Sequence, residues 1–228
     1  MPISICENRD CMEATREFPD KYFELAIVDP PYGIGLNRFG NGRSRGKKLN
    51  YKIKGGWDIA PKQKYFTELF RVSLNQIIWG ANNFSLPISQ AWIYWDKGQP
   101  FEVSFASGEL AWTSFKRTTK HVKIQWSGAA GMDAGDKRLH PTQKPIALYK
   151  WLLSNYAKPG DKILDTHLGS GSSRIAAYDM GFDFWGYELD KDYFEAMEKR
   201  FQTHISKPVL FAPDQMYDFE QTKLFEND

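Results

Sequence analysis

The segment LAIVDPPYGIG, residues 25–35, runs a short apolar strand directly into two prolines. Proline lacks an amide donor and fixes its own φ angle, so two in succession cannot continue a central strand. They fix the backbone where the strand leaves the sheet, with Asp29 before them and Tyr32 after them. The segment therefore predicts a rigid corner that presents a carboxylate, a fixed carbonyl and an aromatic ring at a strand end.

Short apolar segments alternate with helical patterns along the chain. The predicted strands are Ile3–Cys6, Leu25–Val28, Gln76–Gly80, Ala91–Trp95, Glu109–Phe115, Lys123–Trp126, Lys162–Leu164 and Phe184–Tyr187. The predicted helices are Cys11–Glu17, Pro61–Val72, Pro145–Tyr156, Ser172–Met180 and Asp192–Thr203. This alternation predicts an α/β fold with a mostly parallel, doubly wound sheet. Residues 110–126 also read as an antiparallel hairpin at the sheet edge.

A chain of 228 residues is long enough for one substantial core and too short for two full domains with linkers. The predicted catalytic domain therefore spans residues 1–211, and an acidic tail follows at 212–228. A segment rich in Gly, Arg and Lys at 35–56 follows the proline corner. We interpret it as an inserted loop that closes over a ligand, and an insertion without a role is the alternative.

Basic residues cluster in two stretches that contain no acids, one between Gly33 and Gly56 and one between Lys116 and Lys123. An isolated basic run is often a solvated loop. Two runs on either side of an aromatic-rich middle favour a polyanion as the partner. The residues expected to contact it are Arg38, Arg43, Arg45, Lys47, Lys48, Lys116, Arg117 and Lys120.

No apolar run approaches the roughly 20 residues that a membrane span needs, and the N-terminus lacks the pattern of a secretory leader. The two cysteines, Cys6 and Cys11, fit free thiols in a reducing compartment. We therefore expect a cytoplasmic protein without membrane contact. No second ligand-type residue accompanies His140 at metal-binding spacing, so no metal site is expected.

The segment ILDTHLGSGSS, residues 163–173, has the pattern of a strand, a glycine turn and a helix start. Gly169 and Gly171 leave backbone amides accessible beside a helix N-terminus, where a ligand can approach closely. The next strand ends at Glu188, where an acid can bind the two hydroxyls of a ribose. Neither a third fingerprint glycine nor a phosphate-binding loop is present, so a nucleoside without a pyrophosphate fits better. In the alternative interpretation, Asp165 and Glu188 only cap helices.

Three motifs together resemble one family. Asp-Pro-Pro-Tyr at 29–32, HPTQKP at 140–145 and ILDTHLGSGSS at 163–173 occur in the order of the beta-class amino-group DNA methyltransferases, which use S-adenosylmethionine. The similarity spans residues 3–202. It implies a circularly permuted, Rossmann-like methyltransferase fold with short target-recognition elements within 33–139. Thr166 and His167 depart from the Pro-Phe that is commoner in the family.

The resemblance also implies which residues form the site. The catalytic motif consists of Asp29, Pro30, Pro31 and Tyr32. The residues expected to bind S-adenosylmethionine are Asp10, Cys11, Asp29, Thr142, Lys144, Asp165, Thr166, His167, Gly169, Ser170, Gly171, Ser172 and Glu188. Within this set, Asp10 is expected at the adenine amino group and Glu188 at the ribose, while Thr142 and Lys144 are expected at the methionine end.

The chemistry of an exocyclic amine explains the proline corner. The lone pair of this amine is delocalised into the base, so the nitrogen is a poor nucleophile. Asp29 and the Pro30 carbonyl are placed to accept hydrogen bonds from its two N–H groups and so turn the lone pair toward a sulfonium methyl. A base flipped out of the duplex can stack on Tyr32. Cytosine C5 methylation needs a cysteine after a proline, and neither cysteine follows one.

These motifs predict an adenine N6-methyltransferase that acts on double-stranded DNA in a bacterial or phage-infected cell, one setting being restriction-modification. Cytosine N4 transfer has the same electronic logic, although Ser is commoner than Asp at position 29 in such relatives. RNA adenine methylation and a binding protein with a dead site are further alternatives.

The short recognition region predicts a short target sequence or a homodimer. The tail segment QTKLF, Gln221–Phe225, resembles peptides that dock on the bacterial sliding clamp.

Overall fold

Within the residues that the computed structural model describes, 1–35, 58–99, 106–126, 139–140 and 142–207, an eight-stranded sheet carries helices on both faces. The strands are β1 (Ser4–Glu7), β2 (Phe23–Val28), β3 (Ser73–Trp79), β4 (Trp92–Asp96), β5 (Gly108–Thr113), β6 (Lys120–Lys123), β7 (Lys162–Asp165) and β8 (Asp183–Tyr187). The helices are α1 (Cys11–Ala14), α2 (Gln63–Val72), α3 (Ile146–Tyr156), α4 (Ser172–Asp179) and α5 (Lys191–Ile205). Short 3-10 turns occupy Thr15–Glu17 and Ala81–Asn83.

The strand order is β1-β8-β7-β2-β3-β5-β4-β6. The crossover from β2 through α2 leads to β3 on one side, and the crossover from β7 through α4 leads to β8 on the other. The order therefore reverses between β2 and β7, where Leu25 pairs with Ile163 and Ala26 pairs with Leu164. A sheet of this kind binds its ligands at such a reversal, outside the carboxyl ends of the strands.

Alternate residues of the central strands enter two separate cores. On β2, Leu25 and Ile27 pack with residues of α3, α4 and α5. Ala26 and Val28 point the other way and pack with residues of α1 and α2. Because β2 is buried on both faces, it reads as a continuous apolar run, as strands of parallel sheets do. The strand that leads into the proline corner is thus held from both sides.

The antiparallel part of the sheet differs from the sequence prediction. β5 runs antiparallel between β3 and β4, so the hairpin consists of β4 and β5, and β6 pairs in parallel with β4 at the sheet edge. The predicted hairpin within residues 110–126 is therefore wrong. The strand predicted to begin at Lys123 ends there instead. Ile124 and Trp126 are apolar because they pack in a core rather than in the sheet.

Several predicted features lie outside the described residues. They are the basic loop at 35–56 apart from Gly35, the residues Arg38, Arg43, Arg45, Lys47 and Lys48, and the tail with its Gln221–Phe225 segment. None of the helices in the described part of the chain has the length and apolar character that crossing a bilayer requires.

The packing of β3 gives a test of the core. Ile77 is fully buried, whereas Ile88 is fully exposed. We expect Ile77→Ala to lower the free energy of unfolding by about 2–5 kcal/mol, because it removes buried methyl groups and leaves a cavity. Ile88→Ala, the matched control, should change it by less than about 0.5 kcal/mol. Urea denaturation of both variants measures the difference, and equal losses would contradict the assigned burial.

Candidate active site

The carboxyl ends of β2, β7 and β8 border a cavity of about 640 Å³. Asp29 follows β2, Asp165 ends β7 and Glu188 follows β8. The chain before α2, the segment that leads into α3 and the start of α5 close the sides. The volume lies within the range of about 300–1,000 Å³ that is typical of ligand pockets. The cavity therefore occupies the place that the reversal of strand order predicts.

The proline corner forms one wall of this cavity. Asp29, Pro30, Pro31 and Tyr32 all line it. The Tyr32 hydroxyl donates a hydrogen bond of 2.7 Å to Asp29 Oδ1. Its ring lies against Gly80, where an added Cβ would stand 2.1 Å from Tyr32 Cε1 and where φ is +64°. A glycine directly after β3 is thus needed both for the left-handed backbone and for the space that the tyrosine ring occupies.

A buried lysine faces the same corner. The Lys144 side chain is 2% exposed, and its Nζ lies 2.5 Å from Asp29 Oδ2 and 3.0 Å from Glu109 Oε2. Glu109 also accepts a hydrogen bond of 2.6 Å from Lys97. The Tyr32 hydroxyl lies 3.2 Å from Glu109 Oε2 and 3.3 Å from Lys144 Nζ. The sequence predicted Lys144 at the methionine end of the cofactor, whereas the structure places its ammonium on Asp29.

Burial and the neighbouring charges shift the pKa values of this group in opposite directions. Burial raises the pKa of the Asp29 carboxyl, and the Lys144 ammonium opposes that rise. Burial disfavours the charged form of Lys144, but Asp29 and Glu109 together raise its pKa above the usual range. Against the effect of burial, Lys144 and Lys97 lower the pKa of Glu109 to about 2. Asp29 therefore lies in direct contact with an ammonium that stays protonated.

Two acids hold the glycine turn after β7. Asp165 accepts hydrogen bonds from the His167 amide at 3.0 Å and from the Ser173 hydroxyl at 2.5 Å. Glu188 accepts from the backbone amides of Gly169 at 2.8 Å and of residue 190 at 2.9 Å. Burial raises the pKa of both carboxyls, that of Asp165 to about 7. Both acids thus shape the turn, and Glu188 also lines the cavity.

Most of the predicted cofactor residues line the cavity. They are Asp10, Cys11, Asp29, Thr142, Lys144, Thr166, His167, Gly169, Ser170 and Glu188. The remaining three, Asp165, Gly171 and Ser172, stand behind the turn. At Gly171 φ is +74°, and an added Cβ would lie 2.3 Å from Met197 Cγ on α5. These three are not among the residues that line the cavity, and their role in cofactor binding stays a prediction.

The start of α1 contributes Asp10 and Cys11 to the cavity. Asp10 is the N-cap of this helix, and its Oδ1 accepts a hydrogen bond of 2.7 Å from the Met12 amide. Capping satisfies an amide that has no partner within the helix. Burial raises the pKa of the Cys11 thiol to about 12, so the thiol stays protonated and has little nucleophilic character.

The second basic patch lies at the amino ends of the parallel strands, the edge of the sheet opposite the cavity. Because β5 is antiparallel, it carries the chain to Lys116 and Arg117 at the edge where the parallel strands begin. Lys120 starts β6, which is parallel to β4, at that same edge. Arg117 donates to the Asn155 carbonyl at 2.7 Å and lies over the Tyr156 ring. The structure therefore does not bring these three predicted DNA contacts to the cavity.

Sequence reasoning missed several residues of the site. Glu109 and Lys97 reach it from the β4–β5 hairpin, and Lys62 and Lys64 line the cavity at the start of α2. Gln143 lines it too; its Oε1 accepts from a backbone amide 2.8 Å away, and its buried Nε2 has no partner within the described residues. Its place inside HPTQKP was a signal for Gln143. Glu109 had none, because its position depends on the antiparallel insertion of β5.

A doubly wound sheet with a cavity where its strand order reverses defines a class of α/β proteins, and comparisons with known proteins identify the family. The model of the family N6_N4_Mtase, described as DNA methylase, matches residues 47–199, which is more than half of the chain. The chain belongs to this family of DNA methylases. The resemblance that the three motifs carry is thus confirmed.

Similar proteins share the length and the fold. YubD of Escherichia coli (strain K12), whose name describes it as a methylase, is 25% identical over 84% of this chain and 87% of its own length. The M1.HpyAVI–SAM complex superposes with a TM-score of 0.53 at 19% identity, covering 86% of this chain and 98% of that one. PvuII DNA methyltransferase, named as cytosine-N4-specific, superposes with a TM-score of 0.57 at 15% identity, covering 95% and 92%. At these identities the structural likeness shows the fold, and the predicted mostly parallel, doubly wound sheet is confirmed.

Acidification tests the surroundings of His167. Burial lowers the pKa of its imidazole to about 4, despite the neighbouring Asp10 carboxylate. Because this value lies below the unfolded pKa of about 6.5, stability is lost as pH falls from about 6.5 to 4, by roughly 2–3 kcal/mol. Asp165, with a pKa raised to about 7, acts in the opposite sense over this range but is present in both proteins. We therefore expect urea unfolding to show the loss due to His167 as a fall in the stability of the parent protein relative to His167→Phe. Equal losses in the two proteins would contradict a buried, neutral imidazole.

Proposed function

We propose that this protein transfers a methyl group from S-adenosylmethionine to the exocyclic N6 amine of adenine in double-stranded DNA. The observation that carries the proposal is a shared volume: Asp29, Pro30 and Tyr32 line the same cavity of about 640 Å³ as Gly169 and Glu188. A site for an amine and a site for a nucleoside therefore meet in one place. Membership of a DNA methylase family supports DNA as the substrate.

The cavity residues fit S-adenosylmethionine as the cofactor. Glu188 keeps acceptor capacity beyond its two backbone hydrogen bonds, because a carboxylate accepts about four in all. Gly169 lets a ligand approach the turn closely. Gln143 Nε2, buried and without a partner in the described part of the chain, suits an acceptor such as a carboxylate. The cofactor, when bound, supplies a methyl group activated by a sulfonium.

The corner residues bind and deprotonate the amine. Asp29 and the Pro30 carbonyl accept hydrogen bonds from its two N–H groups, which directs the lone pair of the nitrogen toward the methyl donor. Cleavage of the S–CH3 bond of the bound cofactor would release the methyl group and leave a neutral thioether. The amine nitrogen would take the positive charge as its bond to the methyl carbon forms, and one N–H proton would pass to Asp29 and then to water. Burial raises the pKa of Asp29, which favours its acceptance of this proton. The two prolines hold the carbonyl rigidly, so the geometry costs no reorganisation at the moment of transfer.

Asp29 favours adenine over cytosine, since relatives that methylate cytosine N4 more often carry Ser at this position. The fold itself does not separate the two bases, because the cytosine-N4-specific PvuII enzyme shares it. Incubation of unmethylated duplex DNA with labelled cofactor, followed by digestion to nucleosides, tests the substrate. We expect label in N6-methyladenine. Label in N4-methylcytosine, or faster transfer to structured RNA than to duplex DNA, would overturn the proposal.

Replacement of Asp29 tests the amine acceptor. Asp29→Asn keeps the shape of the side chain but removes the charge that accepts the amine proton. We expect kcat to fall by about 10²–10⁴-fold, while isothermal titration shows cofactor affinity within a few-fold of the parent. Asp20→Asn, at an exposed carboxylate paired with Arg71, is the control and should keep full activity. A D29N enzyme as fast as the parent would refute the mechanism.

Lysines at the cavity rim test where DNA binds. Lys62 and Lys64 are exposed and line the cavity, whereas Lys116 and Lys120 are exposed at the opposite edge. The double substitution K62Q/K64Q should reduce the slope of log affinity against log salt by about 2, since each phosphate contact contributes about 1. K116Q/K120Q removes the same charge and should leave the slope unchanged. A reversed result in fluorescence anisotropy titrations would move the DNA path to the opposite edge.

The remaining parts of the proposal concern partners. Phosphate contacts from Arg38, Arg43, Arg45, Lys47 and Lys48 would position DNA without specifying bases. Use of a second copy of the chain, docking of Gln221–Phe225 on a sliding clamp, and a cytoplasmic restriction-modification setting stay predictions.

A further inference from the structure

An alternating row of four charged side chains runs away from the proline corner. Asp29, Lys144, Glu109 and Lys97 follow one another with N···O distances of 2.5, 3.0 and 2.6 Å. They come from the end of β2, the segment before α3, the start of β5 and the chain after β4. Four parts of the fold thus meet through their charges at one side of the cavity.

The packing of β5 fixes the position of Glu109. Its neighbour Gly108 lies so close to β4 that an added Cβ would stand 2.5 Å from the Trp95 carbonyl oxygen and 2.5 Å from the Tyr94 ring. Glu109 itself is opposite Trp95 in the antiparallel ladder. The register of β5 on β4 fixes the backbone from which the Glu109 carboxylate reaches Lys144 and the Tyr32 hydroxyl.

Lys144 is the centre of this group. A buried ammonium without partners would be costly and would lose its proton. Lys144 instead has the carboxylates of Asp29 and Glu109 within 3.0 Å. The Trp79 ring also faces it, with 5.3 Å between Nζ and the ring centroid. The position of the Lys144 ammonium, and with it that of the Asp29 carboxylate, therefore depends on Glu109.

We propose that Glu109 and Lys144 are positioning residues for methyl transfer, in which Lys144 orients the Asp29 carboxylate and Glu109 anchors Lys144. This assignment rests on the proposed function, because it gives both residues a role only through Asp29. Their charges act on Asp29 in opposite senses. The ammonium of Lys144 stabilises the ionised form of Asp29, and the carboxylate of Glu109 destabilises it.

Other ionisable groups surround Asp29. They are Tyr32 in the same corner, Tyr65 on α2, Tyr149 on α3 and Asp165 on β7. Burial raises the pKa of each tyrosine well above its usual value, so all three stay neutral below pH 9. Burial raises the pKa of Asp165 to about 7, and Asp165→Asn assigns its signal in an NMR titration of labelled aspartates.

In the parent protein, neither Glu109 nor Lys144 changes its protonation state between pH 5 and 9. The pKa of Glu109 is about 2, because Lys144 and Lys97 outweigh its burial. That of Lys144 is raised by its two carboxylates against the effect of burial. Between pH 5 and 9 both charges are therefore constant in the parent protein. In Lys144→Met, Glu109 loses the partner that keeps its pKa low, so the Asp29 signal must be followed separately from that of Glu109.

Two substitutions should move the pKa of Asp29 in opposite directions. Glu109→Gln removes a like charge and should lower it, whereas Lys144→Met removes an opposite charge and should raise it. We expect the acidic limb of kcat to shift by about half a pH unit or more each way. At the optimum, kcat should fall by about tenfold or more, with KM for the cofactor changed less than about threefold.

A readout without turnover accompanies the kinetics. Carbon-13 NMR titration of labelled aspartates in the unliganded protein, with Asp29→Asn to assign the signal, should show the same two shifts. Lys144→Arg keeps the charge and should bring the pKa of Asp29 back toward the parent value. If Lys144→Met does not fold, the double variant E109Q/K144M compared with E109Q measures the same removal, and the pKa of Asp29 should rise.

Glu198→Gln is the matched control. Glu198 is 30% exposed and pairs with Arg174, which is 6% exposed, whereas Glu109 is 22% exposed and pairs with Lys144 at 2%. The control thus removes an ion pair of similar burial between α4 and α5. It should change neither the pKa of Asp29 nor kcat, even where it lowers stability.

The outcomes separate the two proposals. If E109Q and K144M shift the pKa of Asp29 in opposite directions but the parent protein transfers no methyl group, the proposed function alone is overturned. An active parent in which E109Q and K144M move the pKa of Asp29 in the same direction, or leave it unmoved, would overturn the positioning roles. A loss of kcat in E198Q as large as that in E109Q would overturn them as well, because it would reflect general destabilisation.

Discussion

The parallel pairing of β2 with β7 is the contact on which the site depends. It joins Leu25 to Ile163 and Ala26 to Leu164, so the chain ends of these two strands leave the sheet side by side. The crossovers from this pair run in opposite directions, which leaves a crevice between them. The cavity exists because of this arrangement, and the loops that follow the strands supply its walls. The chain leaves β2 through a corner with two prolines and leaves β7 through a turn with two glycines.

Burial of charge is the second constraint on the site. Removal of a carboxylate or an ammonium from water costs several kcal/mol unless partners replace the lost hydration. At the glycine turn, backbone amides and a hydroxyl serve Asp165 and Glu188. At the proline corner the partner is Lys144, itself balanced by Glu109. Burial nevertheless leaves Asp29 with a raised pKa, although Lys144 opposes the rise. A raised pKa suits the proton-accepting role that we propose for Asp29.

Local sequence patterns predicted the elements nearest the site. Apolar runs ending in prolines or glycines mark strand ends, and β2, β7 and β8 lie close to their predicted bounds. The direction of β5 was not predictable in this way, because an antiparallel strand between β3 and β4 is set by pairing across the sheet. Ile124 and Trp126 misled the interpretation, since an apolar residue buried by a loop has the same pattern as one buried in a strand. Glu109 and Lys97 were missed for the same reason as β5.

By itself, the sequence determined that Asp29 and Tyr32 stand at a strand end, that a glycine turn opens α4, and that both belong to one family order of motifs. These conclusions follow from constraints within a few residues, chiefly the fixed φ of proline and the freedom of glycine. Only the tertiary structure decided that Lys144 contacts Asp29, that Glu109 joins them, and that the second basic patch faces away from the cavity. Such contacts depend on the order and direction of strands far apart in the chain, and a local pattern carries no information about either.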